Sequence, residues 1–322
     1  PPRDSIRRQR QMCIRDRLYP DDWEVPKIHE ARRGEPQRGV ADFDLETRPL
    51  MDEGIAERTV GFIQRNAAAG KPFFVYVPFT NLHPPMIPHP DFADGRTAYE
   101  ASIAELDVRT GQILDALDDA GVADDTIVVW ASDNATSAAM GGSSGVWRGK
   151  FGGGWEGSIR TPAMIRWPGR VPAGVVSDEI VATYDWLPTL AALAGESDRV
   201  PDDRPIDGID MSEFVLGDRE RSGRESFVFL GSDGEPLAVK WKDMKVHFKV
   251  AMSDSWTAPL LKRQIPAIYD LGADPGEQND LMETELTVAW VIAAVMAPLI
   301  GLKQSAAQYP HVEVGADFQG YD

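Results

Sequence analysis

The sequence predicts an α/β fold: a mainly parallel sheet flanked by helices, followed by a small C-terminal antiparallel sheet with one helix. Three observations carry this. Two β-branched and aromatic runs, Phe73–Val77 and Ile127–Trp130, each end in a polar loop, and an amphipathic helical segment lies between them. A glycine-rich loop follows the second run, as ligand loops follow strand tips in open α/β sheets. Beyond residue 220 the chain breaks into short β-like runs separated by turns.

In chain order, residues 1–20 differ from the rest, being arginine-rich with few large apolar residues, and read as a non-native or disordered arm. The part from 18 to 45 is proline- and charge-rich and reads as an irregular loop. Residues 46–69 place Met51, Ile55, Val60 and Ile63 near helical spacing. Phe73–Val77 is a strand, then PFTNLHPPMIPHPDF is a loop stiffened by prolines. In 97–119, Tyr99, Ile103, Leu106, Ile113 and Leu117 form one stripe of a helix that Gly121 ends. Ile127–Trp130 and Ala163–Trp167 are strands, and 178–194 leads into a helix stopped by Gly195. A charged stretch, 196–224, separates the region 21–219 from a subdomain at 220–322. There Ser226–Leu230, Pro236–Trp241, Met244–Val250 and Ile268–Leu271 are short strands, and a helix at 284–300 covers one face.

The chain has 322 residues and a net charge of −18, which argues against nucleic acid and anionic membranes as partners. The run Leu286–Leu302 is short for a membrane span and carries Pro298 and Gly301, so a buried helix of a soluble chain is expected. Cys13 is the only cysteine, so no internal disulfide forms. The first 17 residues hold no apolar core of a secretory signal.

The residues that can carry chemistry gather after Trp130. Asp133 and Asn134 read either as a turn or as hard oxygen ligands for Ca2+ or Mg2+, and as ligands they need further carboxylates. Lys150, among glycines, is either a solvated charge or an anion contact. Arg148 and Arg160 are rival anion contacts, and Arg160 also suits a structural pairing with Glu156 or a carbonyl. The glycines lack the Walker pattern of a nucleotide loop and would let backbone approach a ligand. His83 is either a loop histidine or a proton donor to a leaving oxygen; His89 has the same chemistry further from the strand. His247 and His311 read as structural or surface residues.

Together these segments resemble the sulfatase family of the alkaline-phosphatase-like superfamily. The resemblance rests on NLHPPMIPHPDF, AYEASIAELDVRTGQILDAL, TIVVWASDN, WRGKFGGGWEGSIRTPAMIRWPGRVPAG, TYDWLPTLAALAG and IYDLGADPGEQNDL, in that order across 46–322. It implies a Ca2+-dependent sulfuric ester hydrolase acting on a small-molecule or carbohydrate sulfate ester. Asp133 and Asn134 would be metal ligands, Lys150 a sulfate contact, and His83 the histidine at the leaving oxygen. The nucleophile would be a formylglycine. The family's first Asp-Asp ligands and its C/S-x-P-S/A-R stretch have no counterpart here, and Cys13 lacks the proline and small residue of that motif. Ala135 stands where the family has glycine. The expectation is therefore a fragment without the nucleophile segment, inactive alone. A phosphoester or phosphonate hydrolase of the same superfamily and a non-catalytic anion-binding module are the alternatives. Localisation stays open; a periplasmic or secreted protein suits the resemblance.

Overall fold

The computed structural model describes residues 26–136, 141–231, 233–253 and 258–310. The arm, Cys13 and His311 lie outside the described residues. The chain forms two compact units, Pro1–Ala123 and Asp124–Asp322.

The first unit begins with a hairpin where an irregular loop was expected: β1 (Lys27–Glu30) pairs antiparallel with β2 (Arg38–Asp42). Nearly all of its residues are exposed, so no apolar alternation announces it. An ion pair between Lys27 and Asp42 ties its ends. Helix α1 (Met51–Ala68) buries Asp52, Ala56, Thr59 and Ile63. Helix α2 (Ala98–Asp119) starts at a capping box in which Thr97 and Glu100 satisfy each other's backbone amides. Its buried face is Ala101, Ser102, Glu105, Arg109, Ala116 and Leu117, whereas Ile103 of the expected stripe is exposed. The two helices pack on each other, and small residues on both buried faces permit close approach.

Phe73–Val77, expected as a strand, belongs to no ladder among the described residues. Its alternation is present, with Phe74 79% and Tyr76 78% exposed between half-buried neighbours. A strand needs a partner for its backbone groups, and here none is described.

In the second unit, β3 (Val128–Ala131) pairs antiparallel with β4 (Ala163–Arg166), Trp130 opposite Met164. The short helix α3 (Glu156–Ile159) lies between them in the chain. Helix α4 (Trp186–Leu193) ends before Gly195, at φ +73°. The charged stretch that follows contains an unexpected short helix, α5 (Ser212–Leu216). Buried Asp185 anchors this stretch by accepting from the amide of Ile209 and the guanidinium of Arg224.

Four strands then form an antiparallel meander: β5 (Ser226–Leu230), β6 (Pro236–Trp241), β7 (Met244–Ala251) and β8 (Leu260–Asp270). β8 starts at Leu260 rather than Ile268, because its first part is mostly exposed and lacks an apolar run. After α6 (Leu281–Thr284), helix α7 (Trp290–Gln308) lays Val291, Val295 and Leu299 on Val239, Val246 and Ile268. The expected buried helix is thus buried on one face only: Leu286, Trp290, Met296 and Ile300 are exposed. Leu286–Gln308 is long and apolar enough to cross a membrane by length and composition, with a mean hydropathy of 1.9.

Candidate active site

His83 belongs to the first unit; Asp133, Asn134 and Lys150 belong to the second. His83 is exposed on the loop after Phe73–Val77, and its Nδ1 lies 2.7 Å from the carbonyl of Pro84. A carbonyl only accepts, so Nδ1 carries the proton. Buried Glu105 fixes the loop further along, accepting from the side-chain amide of Asn81 and from the backbone amide of His89, each at 3.0 Å. His89, the second candidate by chemistry, is buried, its ring 3.5 Å from carboxylate oxygens of both Glu53 and Asp91. It braces the loop.

The tip of β3 presents Asp133 and Asn134, both exposed. The amide of Asn134 donates to Asp133 Oδ1 at 2.8 Å, a local turn bond that leaves the second carboxylate oxygen uncommitted. No described residue forms an ion pair with Asp133 or a hydrogen bond with the Asn134 side chain. In donor type the pair therefore fits a hard divalent cation. Two oxygens do not complete a coordination sphere, and among the described residues no group of three or more His, Cys, Asp or Glu gathers to hold a metal.

The glycine-rich loop returns to this tip. Phe151 donates its amide to the carbonyl of Thr136 at 2.8 Å, which sets Lys150 beside the segment that leaves Asn134. The Lys150 ammonium has no hydrogen bond or ion pair among the described residues. The rival cations are engaged. Arg148 stacks 3.8 Å from the Trp155 ring centre and donates to the Glu277 carbonyl at 2.8 Å. Arg160 stacks on Trp147 at 3.9 Å and pairs with Asp178 and, at 3.5 Å, with Glu156. The structural reading of Arg160 holds, and Arg148 joins it.

Two of the glycines are required by the loop itself. A Cβ on Gly157 would lie 2.6 Å from the Arg148 carbonyl oxygen, and one on Gly149 2.6 Å from Trp155 Cβ. Gly149 also stands at φ +90°, where side chains are strained.

Beneath the loop lies a buried charge network. Glu156 accepts from Lys245 at 3.0 Å and Lys240 at 3.1 Å, while Glu277 meets Lys245 at 3.3 Å and His247 Nε2 at 2.7 Å. Glu277 also receives the Glu156 amide at 2.7 Å. Burial pushes Glu156 up, but the two lysines outweigh it and hold the carboxyl down at about 2. Burial lowers both Lys245 and His247. The sequence holds one overlooked signal for this network. β7 is buried on both faces, with Val246 toward α7 and Lys245 and His247, both fully buried, on the opposite side.

The family model for sulfatases matches residues 17–196. Mouse steryl-sulfatase is 33% identical over 270 residues, which cover 74% of this chain and 42% of that protein. Rat arylsulfatase G is 33% identical, covering 83% of this chain and 57% of its own, and human arylsulfatase A is 33% identical, covering 76% and 52%. The chain thus spans about half the length of these curated relatives. Among solved structures, a Pseudoalteromonas sulfatase superposes with a TM-score of 0.81 at 26% identity, covering 88% of this chain and 59% of that one. The fold is the alkaline-phosphatase-like α/β fold of these enzymes. The chain belongs to the sulfatase family.

Proposed function

We propose that the protein takes part in hydrolysing a sulfate ester of a small molecule or carbohydrate. The observation that carries this reading is that the Phe151–Thr136 backbone bond ties the chain at Lys150 to the segment leaving Asn134, the Lys150 ammonium having no partner among the described residues, while Arg148 and Arg160 are both engaged. A lysine without a counter-ion, on a loop tied to a segment that carries hard oxygen donors, suits a cation and an oxyanion held together.

In this reading Asp133 and Asn134 contribute oxygens to a Ca2+ or Mg2+ site, completed by further oxygen ligands. Such a cation would supply charge that stabilises an anionic sulfuryl group. Lys150 neutralises sulfate oxygens from a preorganised position. The sulfuryl group passes to an oxygen nucleophile and, in the net hydrolysis, to water; the electron pair of the broken S–O bond goes to the leaving oxygen, and His83, with both ring nitrogens protonated, gives it the Nε2 proton. The Nδ1 bond to the Pro84 carbonyl leaves Nε2 as the nitrogen available to substrate. No residue here is assigned as nucleophile. We further propose a division into a catalytic part at 21–219 and a C-terminal subdomain at 220–322.

The test is release of sulfate from 4-nitrophenyl sulfate, with Ca2+ present and after chelation, by this chain joined to a segment that carries the nucleophile; the chain alone is expected to show none. Metal-dependent turnover that falls on replacing Lys150 supports the reading. Turnover indifferent to both chelation and Lys150 overturns it.

A further inference from the structure

Two buried charges on the first unit have no ionic partner, and both point at the loop that carries His83. Arg48 is 5% and Asp52 1% exposed, one helical turn apart, and neither forms an ion pair among the described residues. Arg48 donates to the Thr80 hydroxyl at 2.7 Å, the Thr80 carbonyl at 3.0 Å and the His83 carbonyl at 3.2 Å. Asp52 accepts from the Thr80 amide and hydroxyl, each at 2.7 Å, and from the Asn81 amide at 2.9 Å. The Thr80 hydroxyl therefore accepts from one charge and donates to the other. Within the turn, the His83 amide donates to the Thr80 carbonyl at 3.1 Å.

Burying unpaired charges is costly, and an apolar pair would cover this surface with less desolvation. Charged groups, however, fix several backbone groups at once with strong, directional hydrogen bonds. We infer that Arg48 and Asp52 are positioning residues that hold the Thr80–His83 turn and so aim His83. The inference rests on the reading of His83 as the acid at the leaving oxygen. The rigidity it requires stops at the ring, where the Pro84 carbonyl takes over.

The test compares the intact protein with Arg48→Met, Asp52→Asn, Thr80→Val and His83→Ala. The first readout is the dependence of kcat on leaving-group pKa across a series of aryl sulfates. Loss of proton donation penalises poor leaving groups most, whereas a poorly folded enzyme slows on all of them equally. His83→Ala is expected to steepen the dependence, and the three turn variants to steepen it in the same direction. If only His83→Ala steepens it, the positioning role is overturned. The second readout is amide hydrogen exchange, which needs no turnover. Exchange at Thr80 and Asn81 is expected to rise about tenfold or more relative to α1 and α2. If His83→Ala leaves the dependence unchanged, the role of His83 falls, and exchange alone decides whether the turn is held. Unchanged exchange in Thr80→Val, which keeps both charges and removes the shared hydroxyl, overturns the inference even if the charge variants do not fold.

Discussion

The ammonium of Lys245 sits 3.0 Å from the carboxylate of Glu156, both buried, joining β7 to the end of the loop that carries Lys150. Lys245 is also 3.3 Å from Glu277 and lies 3.8 Å from the Phe229 ring centre. Replacing Lys245 with Met leaves buried Glu277 with His247 and the Glu156 amide at its carboxylate but without its lysine. The expected loss is about 3 kcal/mol, in the range for breaking a buried charge cluster by removing one partner. The urea unfolding midpoint measures this, and a midpoint within error of the parent would show that the network adds no stability.

Acid should unfold the second unit in two windows. His247 is held below its ordinary 6.5 by burial, so the unfolded chain binds a proton that the folded one resists, and stability falls as pH drops below that value. Glu156 titrates at about 2 instead of 4.5, so it contributes fully above 4.5 and loses its contribution as pH falls toward 2. That second loss is on the order of 3 kcal/mol. Urea midpoints across pH 3 to 8 should show both slopes, and His247→Gln should remove the upper one alone. A profile flat between 7 and 5 in the parent would refute the assignment to His247.

How legible this was in the sequence depended on periodicity. α1, α2 and β5 to β7 were found because apolar residues recur at the right spacing. The hairpin β1–β2 and the first part of β8 were missed because they are largely exposed, which removes the signal. The apolar stripes do not show that α1 and α2 also bury Asp52, Glu105 and Arg109; Asp52 and Glu105 bond loop groups distant in sequence, and Arg109 pairs with Glu53 of α1. Asp133, Asn134 and Lys150 were legible as a cluster because the strand and loop are adjacent in the chain. Lys245, His247 and Glu277 were not, because their pairing depends on strand register and on the fold of a later turn.

Gly157→Ala should displace the loop. Its Cβ would meet three backbone carbonyl oxygens, those of Arg148, Trp147 and Gly149, at 2.6, 2.7 and 2.8 Å. Backbone cannot swing aside as a side-chain tip can. A loss of roughly 1–3 kcal/mol is expected, as for other overpacked sites. Amide exchange should rise at Gly157, whose amide donates to Arg148 at 2.7 Å, and at Phe151. The loop would be shown looser than described if Gly157→Ala matched the parent in both stability and exchange.

Lys150→Ala separates function from fold. The ammonium has no partner among the described residues, so its removal breaks no ion pair, and the unfolding midpoint should stay within about 0.5 kcal/mol of the parent. If the ammonium neutralises a sulfuryl oxyanion, kcat/KM for an aryl sulfate should fall about 100-fold or more. Arg148→Ala should behave oppositely, because its guanidinium stacks on Trp155 and binds the Glu277 carbonyl. It should destabilise the second unit by about 1–2 kcal/mol. Retained kcat/KM in Lys150→Ala, alongside a lost midpoint, would move Lys150 from the chemistry to the scaffold.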